Sequence, residues 1–335
     1  MSLLWYTAYV RRRFTVLWIL MVLLQACGQG PLDSIHITPS STAIQPLLAP
    51  PNKETANETA IVSTPSLIAS ALKTTIPTPY PTNTITPIPL TPTPTLTACM
   101  RAGGRVEVYD FTIVLLPNPL VYRIYLPPCY DEEPDRTYPV LYLLHGQTYS
   151  DTQWDRLGAP ESADKLIAAG EAMPFIIVMP RDRVWLEPTE DNFGVAVEQS
   201  LIPWVDEHYR TIPDRAHRAI GGLSRGGAWA IHLAFSHWEL FSAVGVHSGF
   251  VFHSDVQPLY LWLYDIPTGM TPRIYIDVGD EDRPEITKSS TWLEDLLTQF
   301  DIPHEYHMFV GEHEEAYWQA HVEDYLRWYT MDWGK

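Results

Sequence analysis

Ser224 sits in the frame Gly222-Leu223-Ser224-Arg225-Gly226, within the stretch AIGGLSRGGA from Ala219 to Ala228. A serine hydroxyl attacks a carbonyl near neutral pH only if a positioned imidazole takes its proton, and that imidazole needs an acid to hold its tautomer. The frame alone is weak, because three fixed positions recur by chance in a chain with 18 glycines. It gains meaning when a strand enters it, a helix leaves it, and an acid and a histidine follow in that order. Of 12 histidines, His313 is the best-placed base, in the Gly311-Glu312-His313 turn of HEYHMFVGEHEEAYW. His304 and His307 fall in the strand before that turn and His232 in the helix after the serine, where packing is the commoner role. Asp280, Glu281 and Asp282 all lie past Gly279 in RIYIDVGDED, and spacing does not separate them; Asp277 lies inside the strand. The chemistry such a set performs is acyl transfer through a serine ester.

These residues need a scaffold that brings distant loops to one edge. From Gly104 onward strands alternate with helices, the pattern of an α/β domain with a mostly parallel sheet. RVEVYDFTIVLL and VYRIYLP read as an opening antiparallel pair. PVLYLLHG (139–146) and PFIIVMP (174–180) are continuous apolar runs of the kind buried on both faces. ESADKLIAAG between them suits a helix with Ser162 as N-cap, and 193–210 suits one longer amphipathic helix kinked at Pro203. HRAIGGL is the next strand and RGGAWAIHLAFS (225–236) the helix after it, which puts Ser224 at a strand-to-helix junction. For the aromatic stretch 251–272 two readings stand side by side: a cap over the acyl pocket, or a core helix with flanking loops.

YLPPCY, YPVLYLLHGQ, Trp154 and Gly158, LIPWVDEHYRT, RAIGGLSRGGAWA, IDVGDED and GEHEEAYW together resemble the esterase family of α/β-hydrolases. That family includes S-formylglutathione hydrolase (esterase D), feruloyl and acetyl-xylan esterases, enterochelin esterase and the mycolyltransferases. The similarity covers roughly residues 104–330. It implies an α/β-hydrolase fold with a mostly parallel central sheet and helices on both faces. It implies further that Ser224 is the nucleophile, Asp282 the acid and His313 the base, and that the backbone N–H groups of Gln147 and Arg225 bind the oxyanion. Arg225 stands where methionine is common; its cation either meets the substrate or pairs with a nearby acid, and the pairing is the preferred reading. His145 and Trp318 are candidate substrate-binding residues; for His145 a structural part in the His-Gly turn is the preferred reading, and for Trp318 apolar packing is the commoner role. The same triad also serves an acyltransferase, and a surface glycan-binding protein with a relic triad is the rival from another class.

The first hundred residues differ in kind. Arg11 to Arg13, the apolar run of 11 residues from Phe14 to Leu24, and Leu24-Gln25-Ala26-Cys27 read as a secretory leader over 1–27. Its ending resembles a bacterial lipobox, which implies lipidation at Cys27 and a chain anchored to a membrane outside the cytoplasm. Residues 31–98 hold 13 of the 30 prolines and 15 threonines without a Trp, Phe or Gly, so 28–98 reads as a disordered tether and 99–335 as the folded esterase domain. Cys99 and Cys129 then form an even pair in an exported chain, which predicts a disulfide. Before residue 99 there are five basic and three acidic side chains, leaving 17 against 37 beyond it. So negative a surface repels nucleic acid and anionic lipid headgroups and favours neutral or cationic small molecules or glycans as partners, and the resemblance makes the substrate a small-molecule or glycan ester, with no nucleic acid. No His/Cys/Asp cluster has ligand spacing, so neither metal nor organic cofactor is expected.

Overall fold

The computed structural model describes residues 96–334; the leader with Cys27, and the tether up to residue 95, lie outside the described residues. The first helix, α1 (Ala98–Ala102), is joined through Cys99 to Cys129 by a disulfide. Closing a loop of 30 residues stabilises a fold by about 3 to 4 kcal/mol in the chain-entropy picture.

Eight strands follow: β1 (Arg105–Phe111), β2 (Leu120–Leu126), β3 (Val140–Leu144), β4 (Ile176–Pro180), β5 (Arg218–Leu223), β6 (Ala243–His247), β7 (Arg273–Gly279) and β8 (Glu305–Phe309). They form one sheet in the order β1-β2-β4-β3-β5-β6-β7-β8. β1 and β2 are antiparallel, β2 meets β4 antiparallel, and every later pairing is parallel. The apolar run of β3 is buried at every position because both its faces are covered. Val140, Tyr142 and Leu144 point into one core and Leu141 and Leu143 into the other, as the two-residue period of a strand requires.

The helices are α2 (Gln153–Arg156), α3 (Ala159–Ala169), α4 (Phe193–Ala196), α5 (Ile202–His208), α6 (Arg225–Ser236), α7 (Val256–Asp265), α8 (Pro284–Gln299) and α9 (Glu315–Thr330). Trp229, Ile231 and Phe235 of α6 pack on one face of the sheet with Leu259 of α7 and Leu293 of α8. Leu166 of α3 and Trp318, Tyr325 and Tyr329 of α9 pack on the other with Trp154.

Three local expectations are corrected, and one strand lies where none was expected. Helix α3 begins at Ala159 rather than at a Ser162 cap: Gly158, in a left-handed conformation at φ 87°, holds the N-cap, and Pro160 in the first turn supplies a preset helical φ. The long helix over 193–210 is divided, with a π turn at Val197–Leu201 between α4 and α5. Pro203 has no N–H for the carbonyl of Gln199, and the wider turn takes up the interruption. Strand β1 stops at Phe111, so the TIVLL that follows it is not part of the strand. Ala243–His247, which the sequence reading passes over, is a fully buried strand.

Candidate active site

Ser224 directly follows β5 and sits at the N-cap of α6 with φ 53° and ψ −119°, a conformation that L residues adopt only when the surroundings impose it. What imposes it is the closeness of the two elements. A Cβ on Gly222 would lie 2.2 Å from the carbonyl carbon of Gly226, and one on Gly226 would lie 2.0 Å from the carbonyl oxygen of Leu144. The glycines therefore allow strand, turn and helix to come into backbone contact, and the sharp turn lifts the serine side chain off the sheet edge. The Ser224 N–H donates to the His247 carbonyl at 2.9 Å, which fixes the turn to β6.

The loops after β7 and β8 meet Ser224 from the other side. His313 Nε2 lies 2.9 Å from Ser224 Oγ, and His313 Nδ1 lies 2.8 Å from Asp282 Oδ1. With the carboxylate accepting from Nδ1–H, Nε2 presents its lone pair to the serine hydroxyl. The Asp282 side chain is fully enclosed and that of His313 is 7% exposed. Asp282 Oδ1 also accepts the Arg283 N–H at 2.6 Å, which aims the carboxylate. The three acids that spacing left equivalent now differ. Asp280 Oδ1 accepts the Gly311 N–H at 2.9 Å and ties the two loops together, Glu281 is exposed, and Asp282 alone reaches the imidazole.

The turn after β3 completes the surroundings. Gly146 and Gln147 border a cavity of about 610 Å³ that also exposes Ser224 and His313. Among the described residues, neither the Gln147 N–H nor the Arg225 N–H at the start of α6 has a hydrogen-bond acceptor. Free N–H groups at a helix start beside a serine suit an oxyanion. The cavity walls include Tyr149, Phe250, Val251, Ile286 and Trp318, with Arg283, Glu285 and Ser289 as polar members.

The remaining candidates divide. The Arg225 side chain turns away from the cavity: Nε donates to Asp182 Oδ2 at 2.7 Å, and Nη2 donates to the carbonyls of Val184 and Leu186. The pairing with an acid thus holds, and the cation is not at the pocket mouth. His145 is corrected from a substrate contact to a framework residue. It is buried, does not line the cavity, donates from Nδ1 to the Gly146 carbonyl at 2.8 Å and accepts the Asp182 N–H at Nε2. Burial holds its pKa below the ordinary histidine value of 6.5. Trp318 is both packed and lining: it is buried, reaches the cavity, and meets the His313 ring edge-on at 5.0 Å. His232 pairs with Asp255, His304 with the Ile302 carbonyl, and His307 stacks on Phe309.

The stretch 251–272 does not cap the pocket. Beyond Val251 none of its residues lines the cavity, and α7 is a helix anchored by Leu259 and Leu263 with flanking loops. The first turns of α8 supply that wall instead. The sequence reading missed Arg283, Glu285, Ile286 and Ser289, although Pro284, two residues after Asp282, signals a helix start there. It also missed what Asp277 does. Enclosed in the sheet, Asp277 accepts from Tyr317 and Tyr325 at 2.7 and 2.8 Å and lies 2.6 Å from His247 Nδ1, beneath the residue whose carbonyl holds Ser224.

Residues 115–329, well over half of the chain, match the family described as "Putative esterase". The chain belongs to this esterase family. An endo-1,4-beta-xylanase/feruloyl esterase of Xylanibacter ruminicola is 32% identical over 162 residues, 45% of this chain and 21% of that protein. The chain therefore spans about a fifth of the length of that relative. A ferulic acid esterase structure superimposes with a TM-score of 0.62 at 22% identity, covering 69% of this chain and 98% of the other. The feruloyl esterase module from Clostridium thermocellum, an S954A mutant complexed with sinapinate, superimposes with a TM-score of 0.59 at 18% identity, covering 72% and 94%. The esterase domain accordingly has the α/β-hydrolase fold.

Proposed function

We propose that this protein is a serine carboxylesterase held outside the cytoplasm by a lipid on Cys27, acting on acetyl or hydroxycinnamoyl esters of carbohydrate. The observation that carries the reading is the chain from Ser224 Oγ to His313 Nε2 at 2.9 Å and from His313 Nδ1 to Asp282 at 2.8 Å, ending in a carboxylate with no access to water. Ser224 Oγ attacks the ester carbonyl as its proton passes to His313 Nε2, and the enclosed Asp282 carboxylate stabilises the imidazolium. The carbonyl oxygen, now an anion, takes hydrogen bonds from the N–H groups of Gln147 and Arg225. Collapse expels the alcohol, which receives the proton from His313, and leaves the acyl group on Ser224. Water then attacks that ester with His313 again as base, and the acid departs with Ser224 restored.

The substrate class draws on two supports: the feruloyl esterase activity in the names of relatives, and Tyr149, Phe250 and Trp318 on the cavity wall, where an aromatic acyl group finds apolar faces. The tether rests on the leader and the proline-threonine composition alone. A burst of nitrophenol from nitrophenyl acetate and release of ferulate from a feruloylated sugar are expected from the wild type, and neither from Ser224→Ala. Equal turnover by Ser224→Ala would remove the nucleophile assignment. For the anchor, radiolabelled palmitate should enter the wild type and not Cys27→Ser; equal labelling would remove it.

A further inference from the structure

The N–H of Gln147 points where its peptide plane points, and that plane is fixed from Gly146. Because a trans peptide directs its N–H opposite to its C=O, whatever holds the Gly146 carbonyl sets the direction of the Gln147 N–H. His145 Nδ1 donates to that carbonyl at 2.8 Å and the Tyr149 N–H at 3.3 Å. The other side of Gly146 is held by Gln153, a fully buried residue of α2, whose Oε1 accepts the Gly146 N–H at 2.8 Å. A Cβ on Gly146 would lie 3.6 Å from the Ser224 Cβ, so the held turn borders the serine directly.

Gln153 does not end there. Its Nε2 donates to Glu315 Oε1 at 3.2 Å, and Glu315 is the first residue of α9, two positions after His313. Arg156 grips the same carboxylate with two bonds, of 2.9 Å to Oε2 and 2.8 Å to Oε1, while its guanidinium lies 5.6 Å from the centre of the Tyr149 ring on the cavity wall. Those bonds hold the Glu315 carboxyl below its ordinary pKa, so it is a carboxylate at neutral pH. One side chain thus bridges the turn that carries an oxyanion donor and the helix start beside the base.

We propose that Gln153 is a positioning residue for the reaction: it fixes the Gly146–Gln147 turn for the oxyanion and, through Glu315, ties that turn to the segment carrying His313. The inference rests on the serine esterase reading. The bridge makes no contact with the hydroxyl, imidazole or carboxylate of the triad, so its effect belongs to the tetrahedral stage and leaves ground-state binding of the ester nearly unchanged.

The test uses three variants of the full chain with nitrophenyl acetate as substrate and an aryl trifluoromethyl ketone as inhibitor, because the serine adduct of such a ketone carries an oxyanion. Gln153→Met keeps the side-chain length and removes donor and acceptor; kcat is expected to fall about 10- to 100-fold with KM within about twofold, and ketone affinity to weaken by the same factor as kcat. Gln153→Glu alone sets two carboxylates against each other and is expected to lose kcat as well. Combining Gln153→Glu with Glu315→Gln exchanges donor and acceptor between the two positions, restores the bonds from residue 153 to Gly146 and to residue 315 while costing Arg156 one of its two, and is expected to recover most of the kcat that Gln153→Glu alone loses. Wild-type kcat in Gln153→Met overturns the proposal. So does a loss of kcat that the exchange does not recover and that leaves ketone affinity untouched, since a merely structural defect gives that result. A wild type that neither turns over the ester nor binds the ketone overturns both this inference and the esterase reading; an active wild type with an indifferent Gln153→Met overturns this inference alone.

Discussion

A Cβ on Gly279 would stand 2.2 Å from the carbonyl oxygen of Gly311, so the end of β7 and the turn after β8 touch through a position that admits no side chain. The contact is what lets Asp280 reach the Gly311 N–H and Glu281 N–H reach the Gly311 carbonyl, and it thereby sets Asp282 opposite His313. Gly279→Ala must separate the loops by more than an ångström. Displacements of that size at a reacting centre cost about 100-fold in rate, so kcat for nitrophenyl acetate should fall by roughly that factor. The downfield proton resonance of the His313–Asp282 hydrogen bond should shift or vanish in the same variant; a wild-type resonance and rate would show that the loops accommodate the methyl group.

Arg225 separates two roles that one residue carries. Its main chain offers an N–H to the cavity, while its side chain is buried in an ion pair with Asp182, which also accepts from Trp229 Nε1 at 3.0 Å. Arg225→Met retains the N–H and strands a buried carboxylate, which typically costs about 3 to 5 kcal/mol. Denaturant unfolding should report a loss of that order, whereas kcat per folded molecule should remain within about threefold. Asp182→Asn in the Arg225→Met background should return part of the stability, because the stranded group is then neutral. A large fall in kcat with unchanged stability would mean instead that the guanidinium serves the reaction.

How much of this was legible beforehand depends on the range over which each feature is decided. The β5–Ser224–α6 junction was readable because its determinants are local: an apolar run, a glycine frame and a helix pattern within twenty residues. Asp282 was not separable from Asp280 and Glu281 on spacing, since the choice among them is made by β8 and the Gly311 turn, thirty positions away; only the family resemblance pointed to it. β6 was overlooked because Ala243–His247 is short and carries glycine at its centre, which weakens the strand signal, and it is a strand through pairing with β5 and β7. The pocket wall was misplaced for a related reason. Aromatic composition drew attention to 251–272, but the wall is decided by where α8 starts, and a Pro284 two residues after the acid is a quieter signal than a cluster of aromatic side chains.

His145 gives the fold a pH dependence whose sign follows from its bonds. Its Nε2 must stay unprotonated to accept the Asp182 N–H, and its Nδ1–H is already committed to Gly146. Burial lowers its pKa; the carbonyl bond and the neighbouring Asp182 and Asp151 push upward and Arg181 downward, and burial prevails. The unfolded chain therefore takes up a proton near pH 6.5 that the folded chain refuses until lower pH. Its contribution to stability is complete above pH 6.5 and is lost progressively as pH falls below it, by at most about 1.4 kcal/mol per pH unit for one proton. His145→Asn has no such group. Urea unfolding of wild type and variant at pH 7.5, 6.5 and 5.5 should show the stability difference between them shrinking as pH falls, because only the wild type is losing a histidine contribution. A difference that stays constant across that range would place the His145 pKa at its unfolded value and remove the claim that the buried ring resists protonation.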